Sequence, residues 1–215
     1  MEGIQPQRDA TSIMREEMRR LRRLVGNCTL PVTLLDFGSG LGRWARAGVL
    51  EGFCVTAYEP SEERSSKADT PFEQVHAFEE LGDRKFSAIQ LEQVLEHVPD
   101  PFKTLTQLRG HCNSCTVIRI TVPNILRDPD GLKIWSTWPF DGRAVHLLSP
   151  FEHLHAFTPS SLDQLLMRAG YRNINYLNEI NNASINFIRR YIGKIRPTLN
   201  STLRYVQLSH DYTEN

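Results

Sequence analysis

The residues best placed to do chemistry stand at the ends of two short apolar runs. Val32 to Phe37 carries the carboxylate of Asp36 and leads into Gly38-Ser39-Gly40-Leu41-Gly42, and Glu59 closes a second run, Phe53 to Tyr58. Glycines between a strand and a helix let the backbone approach a bound molecule closely, and an acid closing the second strand accepts two hydrogen bonds from ribose hydroxyls. A dinucleotide fingerprint would put its third glycine at position 43, but Arg43 stands there and the extra glycine falls at 42, which weakens a pyrophosphate reading. Singly, the loop reads as a turn and Glu59 as a surface acid. Together, each in register with its own strand, they read as a nucleoside-binding pair.

The elements that must carry these groups follow from periodicity. Met14, Met18, Leu21 and Val25 form one apolar stripe of a helix over residues 9 to 25. Beyond the glycine loop, Trp44 onward has helical potential. Phe86 to Leu91 and Thr116 to Val122 read as further strands, with helices near 61 to 67 and 100 to 109. Strands separated by helices of this length predict an α/β chain with a Rossmann-like, doubly wound and mostly parallel sheet, helices on both faces. Residues 124 to 157 break the pattern and carry Trp135, Trp138, Phe140, Phe151 and Phe157, as a lid or binding loop would. Thr158 begins a capped helix that Gly170 ends. A strand near 172 to 177, a helix near 183 to 193 and a last strand near 202 to 208 complete one domain over 1–215, with 1–29 as an N-terminal helical extension.

Composition narrows the function classes. The 215 residues hold 25 Lys and Arg against 25 Asp and Glu, with 40% hydrophobic and 23% charged content, as in an ordinary globular protein. The net charge of zero argues against a generic polyanion binder, although the total hides unlike parts: residues 59 to 83 are acidic, whereas 180 to 210 hold Arg189, Arg190, Lys194, Arg196 and Arg204 and no acid. No apolar run approaches the ~20 residues of a membrane span and the N-terminus is polar, so a cytoplasmic address is expected. Four cysteines, with only Cys112 and Cys115 close, read as reduced thiols; a redox pair would open a helix, whereas this one leads into an apolar strand.

The combination of Asp36 to Gly42, Glu59, and Gln93-Val-Leu-Glu96-His97-Val-Pro-Asp-Pro101 resembles the class I S-adenosylmethionine-dependent methyltransferases, and is most similar to the branch that includes ubiquinone-biosynthesis O-methyltransferases. Glu152 to Leu162 and Leu165 to Tyr171 share the likeness, which spans roughly 30 to 178. The resemblance implies a seven-stranded sheet with S-adenosylmethionine across the C-terminal strand ends. Gly38, Ser39 and Gly40 would face its methionine portion with Asp36 supporting the loop, Glu59 would hold the ribose, Ala77 and Phe78 would border the adenine, and Gln93 would complete the set. Methyl transfer from a sulfonium is an in-line displacement, so the protein aligns the acceptor and helps remove a hydroxyl proton. His97 beside Glu96, with His153 and His155, are the candidate bases. Relatives that bind a divalent metal use Glu-x-x-Glu-His and a later His. Here Gln93 replaces the first carboxylate, leaving Glu96, His97 and His153, so a metal is the less favoured alternative.

The mix of aromatic and charged residues over 124 to 157 suits a small polar acceptor, a saccharide or a hydroxylated ring. Two rival readings are a nucleic-acid methyltransferase, for which five bases in the C-terminal stretch are a modest patch, and a binding module that keeps the cofactor fold without catalysis.

Overall fold

The computed structural model describes residues 10–26, 30–66, 71–127, 152–174 and 201–209. The chain runs α1 (Ala10–Val25), β1 (Thr33–Phe37), α2 (Arg43–Leu50), β2 (Cys54–Tyr58), α3 (Glu62–Ser65), β3 (Glu73–Val75), β4 (Ala88–Glu92), α4 (Pro101–Arg109), β5 (Val117–Pro123), α5 (Pro159–Arg168), β6 (Tyr171–Asn173) and β7 (Ser201–Leu208), with 3-10 turns at Phe78–Leu81 and Ile125–Arg127. The seven strands lie in the order β3-β2-β1-β4-β5-β7-β6. The first five are parallel, and β7 runs antiparallel to both β5 and β6. The expected doubly wound, mostly parallel sheet is therefore present.

Alternation along each strand splits the core in two. Leu35, Ile89, Ile118 and Ile120 meet Leu105 and Leu108 of α4 and Leu162 and Leu166 of α5 on one face. Leu34, Val55, Ala88 and Val117 meet Met18, Leu21 and Val25 of α1 and Ala45 and Ala47 of α2 on the other. The apolar stripe of α1 is thus built into the core, and Met18 and Leu21 have no exposed surface. Gly48 of α2 sits where a Cβ would lie 2.6 Å from a methyl of Leu34, which is what lets α2 approach β1 so closely.

Local chemistry explains the element ends. The Asp100 side chain accepts the Lys103 amide at the start of α4, with Pro101 in its first turn. Thr158 accepts the Ser161 amide at the start of α5, as its sequence predicts. The helix expected over 61 to 67 is shorter, Glu62–Ser65, and begins on the Ser61 side chain. The third strand is three residues at the sheet edge. The anticipated helix near 183 to 193 and the aromatic residues 135, 138, 140 and 151 lie outside the described residues. Among the described residues, no helix is long and apolar enough to cross a membrane.

Burial decides the reading of the cysteine pair. Cys112 is buried, its Sγ donates to the Leu108 carbonyl, and burial pushes its thiol up to about 12, the opposite of a reactive redox cysteine. Of the basic C-terminal stretch, Arg204 is described: its Nε and one terminal nitrogen donate to Asp163 at 2.6 and 3.0 Å, and the other terminal nitrogen donates to the Leu203 carbonyl.

Candidate active site

The glycine loop is built by backbone geometry. Gly38, Gly40 and Gly42 all have positive φ, at 76°, 54° and 68°. At Gly38 a Cβ would also lie 2.6 Å from a methyl of Val94. The amides of Gly38 and Ser39 both donate to the Tyr58 carbonyl, stitching the loop to the end of β2. Glu59, almost fully buried, then grips it from the far side: one carboxylate oxygen accepts the Gly40 amide at 2.9 Å and the other the Ser61 amide at 3.0 Å. Each oxygen keeps a lone pair, so the carboxylate can also accept from a ribose. His76 bonds the Glu59 carbonyl through Nδ1, and the Ala77 amide donates to Glu80. Ala77 is exposed at the start of the 3-10 turn, whereas the Phe78 ring packs edge-on against Phe37, Tyr58 and His111.

Asp36 sits just below this loop, 2% exposed. Its Oδ2 has no partner, and burial pushes its carboxyl up to about 7, against a hydrogen bond from the Ala45 backbone that favours the charge. Gln93, at the end of β4, is the one described non-glycine residue with positive φ, 54°, and its amide donates to Thr121. Such backbone strain persists where surrounding structure holds it and concentrates at working sites.

Beyond Gln93 the chain turns back on itself and brings the Glu-His cluster together. The Leu154 and His155 amides both donate to the Glu96 carbonyl, and His97 Nδ1 donates to the Glu152 carbonyl at 2.6 Å. These bonds bracket His153, whose ring centroid lies 4.7 Å from that of His97. Glu96 is 1% exposed, both of its carboxylate oxygens lack partners, and burial pushes it up to about 7. His97 Nε2 stands 4.0 Å from Glu96 Oε1. One ligand atom from each of Glu96, His97 and His153 falls within 4.8 Å of the others. A buried carboxylate with two orphan oxygens beside two imidazoles is a donor set that fits a divalent cation as well as it fits a proton relay. His155 turns away, its Nε2 on the Pro99 carbonyl.

The sequence-predicted residues therefore gather along one edge of the sheet, Asp36 to Gly40 with Glu59 at the β1 and β2 ends and Gln93 to His97 with His153 after β4. What the sequence does not signal is the polar layer behind them. Arg119 of β5, 4% exposed, lies 2.5 Å from Glu92 and 3.6 Å from Glu17 of α1, with Trp44 stacked 4.5 Å away, and Tyr205 donates to Glu17. A charged residue inside an otherwise apolar strand pattern was the available sign.

Comparison with known proteins accords with this architecture. Among solved structures, a plantazolicin methyltransferase, BpumL, in complex with a desmethyl plantazolicin analog and SAH, is similar with a TM-score of 0.62 at 15% identity, over 93% of this chain and 85% of that one. An S-adenosylmethionine-dependent methyltransferase from Archaeoglobus fulgidus gives 0.57 at 18% identity, covering 92% and 94%. One from Mesorhizobium loti gives 0.57 at 14%, covering 89% and 96%. No curated protein matches. The model of a methyltransferase-domain family matches residues 9–176, from the helix that covers the sheet to the strand after α5, and the chain belongs to that family.

Proposed function

We propose that this methyltransferase takes its methyl group from S-adenosylmethionine and places it on an oxygen of a small polar acceptor, such as a saccharide or a hydroxylated ring. The cofactor part is supported by the loop that Glu59 clamps. In this reading Gly38, Ser39 and Gly40 receive the methionine portion, Glu59 the ribose, and Ala77 and Phe78 the adenine edge, with Asp36 bracing the loop from beneath and Gln93 facing it from β4.

The acceptor part is carried by one observation, the hydrogen bond from His97 to the Glu152 carbonyl. A carbonyl only accepts, so Nδ1 holds the proton and the neutral ring presents Nε2 as a lone pair. Nε2 takes the acceptor proton as its oxygen attacks the sulfonium methyl in line. The methyl–sulfur bond breaks with its electron pair left on sulfur, and the imidazolium formed is stabilised by Glu96. His153, held against His97, orients the ring.

A second reading is favoured by the orphan oxygens of Glu96: Glu96, His97 and His153 would hold a divalent cation, of the borderline kind rather than Mg²⁺, since two imidazoles outnumber the single carboxylate. When bound, such an ion would make an acceptor hydroxyl more acidic. Methyl transfer from labelled donor to a panel of saccharides, hydroxylated aromatics and RNA, with and without EDTA, tests both. Turnover on small hydroxylated acceptors, unchanged in EDTA and lost in His97→Ala, is expected. Loss in EDTA moves the assignment to the metal, nearly full activity in both His97→Ala and His153→Ala removes the histidine base, and transfer to RNA alone removes the small acceptor.

A further inference from the structure

The strand order reverses between β1 and β4, and in open α/β sheets the crevice at that reversal receives the ligand. Register places Asp36 of β1 beside Gln90 of β4, Gln90 beside Arg119 of β5, and Arg119 beside Tyr205 of β7, so four polar side chains form one row on the face covered by α1 and α2. Glu92 stands one step further toward the strand ends on the same face, and the same register extended by two residues sets it opposite Gly38.

Arg119 faces the carboxyls of Glu17, Glu92 and Asp36. Arg20, at 2.9 Å, and Tyr205 satisfy Glu17 from the other side, which leaves Arg119 as the counter-charge of Glu92. Glu92 alone of the three reaches solvent, with 23% of its side chain exposed, and only its Oε2 is taken, by Arg119. Independently, Asp36 Oδ2 and both amide atoms of the fully buried Gln90 lack partners, which marks this layer as one completed by a bound molecule or its waters rather than by the chain itself.

We propose that Glu92 is a specificity-determining residue that makes the crevice favour the positively charged methyl donor over the neutral thioether left after transfer. The inference rests on the cofactor reading above. Transfer removes the methyl group from a sulfonium and leaves an uncharged sulfur, so donor and product differ by one positive charge at the reacting atom. A partly exposed carboxylate at the strand ends, opposite Gly38, distinguishes them by Coulomb attraction. Arg119 and Glu17 act through Glu92 and are positioning residues. The spent cofactor, deprived of that attraction, leaves more readily.

The experiment is calorimetric titration of the full chain with S-adenosylmethionine, S-adenosylhomocysteine and sinefungin, whose amine carries a positive charge where the sulfonium would be. In Glu92→Gln, the donor and sinefungin should each bind about tenfold more weakly while S-adenosylhomocysteine changes by less than about twofold. Glu92→Asp should keep the wild-type ratio. Equal weakening of all three ligands, or none, overturns the proposal. If the unaltered chain binds none of them, the cofactor reading itself falls and this one with it. Should Glu92→Gln not fold, Glu17→Gln takes one charge from the same layer and must lower the donor-to-product ratio by about threefold; an unchanged ratio overturns the proposal.

Discussion

Two buried glutamates stand on the same edge of the sheet and are treated in opposite ways. Glu59, after β2, spends both oxygens on backbone amides of the loop it shapes. Glu96, after β4, is as deeply buried and spends neither. The first is finished by the fold and pins its loop. The second is left with a desolvation cost that only a proton, a cation or a substrate group relieves. Preorganisation belongs to the end proposed for the nucleoside, and unmet chemical demand to the end proposed for the reaction.

The sharpest way to break this contrast is Glu59→Ala. Two amides lose charged acceptors inside the protein, so stability should fall by about 2–4 kcal/mol and cofactor affinity by about 100-fold; titration and thermal unfolding measure both, and affinity within about tenfold of wild type would remove Glu59 from the clamp. The glycines give a graded version. Gly38→Ala meets both a positive φ and Val94, whereas Gly40→Ala meets the φ alone, with nothing within 4 Å of the added methyl. The expected costs are about 2–4 and about 1 kcal/mol in unfolding free energy. Equal costs would mean that Val94 yields.

Glu96 should show itself in pH dependence. Its carboxyl is raised from 4.5 to about 7, so the folded chain holds a proton that the unfolded chain releases between those values. Stability from this group is full below the unfolded value and lost as pH rises through about 7. Glu96→Gln should remove that loss and gain about 2 kcal/mol at pH 8, read by denaturant unfolding. Asp36, raised to about 7 in the same sense, supplies the slope that remains. Smallest of all, Arg204→Ala breaks a satisfied but partly exposed ion pair with Asp163 and should cost within about 1 kcal/mol.

Much of the glycine loop and its clamp was legible because its signals are local. Glycines at 38, 40 and 42 announce the positive φ values that the loop adopts, and Glu59 was marked by closing a strand. The 3.6-residue stripe of Met14, Met18, Leu21 and Val25 foretold a helix with one buried side. The polar layer was not legible, because it is made by register between distant segments: Tyr205 meets Glu17 across 188 positions, and no pattern near either announces the other. The edge strand Glu73–Val75 has no signal of its own in the sequence, since three residues, two of them polar, carry no alternation. The imidazole pair was named from sequence, but what holds it is a set of backbone bonds from Glu96 and Glu152 to which side-chain identity gives no clue.

The bridge between Asn124 and Phe157, with the Ile125 amide on the Phe157 carbonyl, has a bearing on engineering. It fastens together the place where the chain leaves β5 and the place where it enters α5. Closing a loop whose ends are already pinned costs only about 0.6 kcal/mol more for each doubling of its length. Changes of length between them therefore weigh little on the stability of the sheet beneath, provided Glu152 to His155, which hold the imidazole pair, are kept.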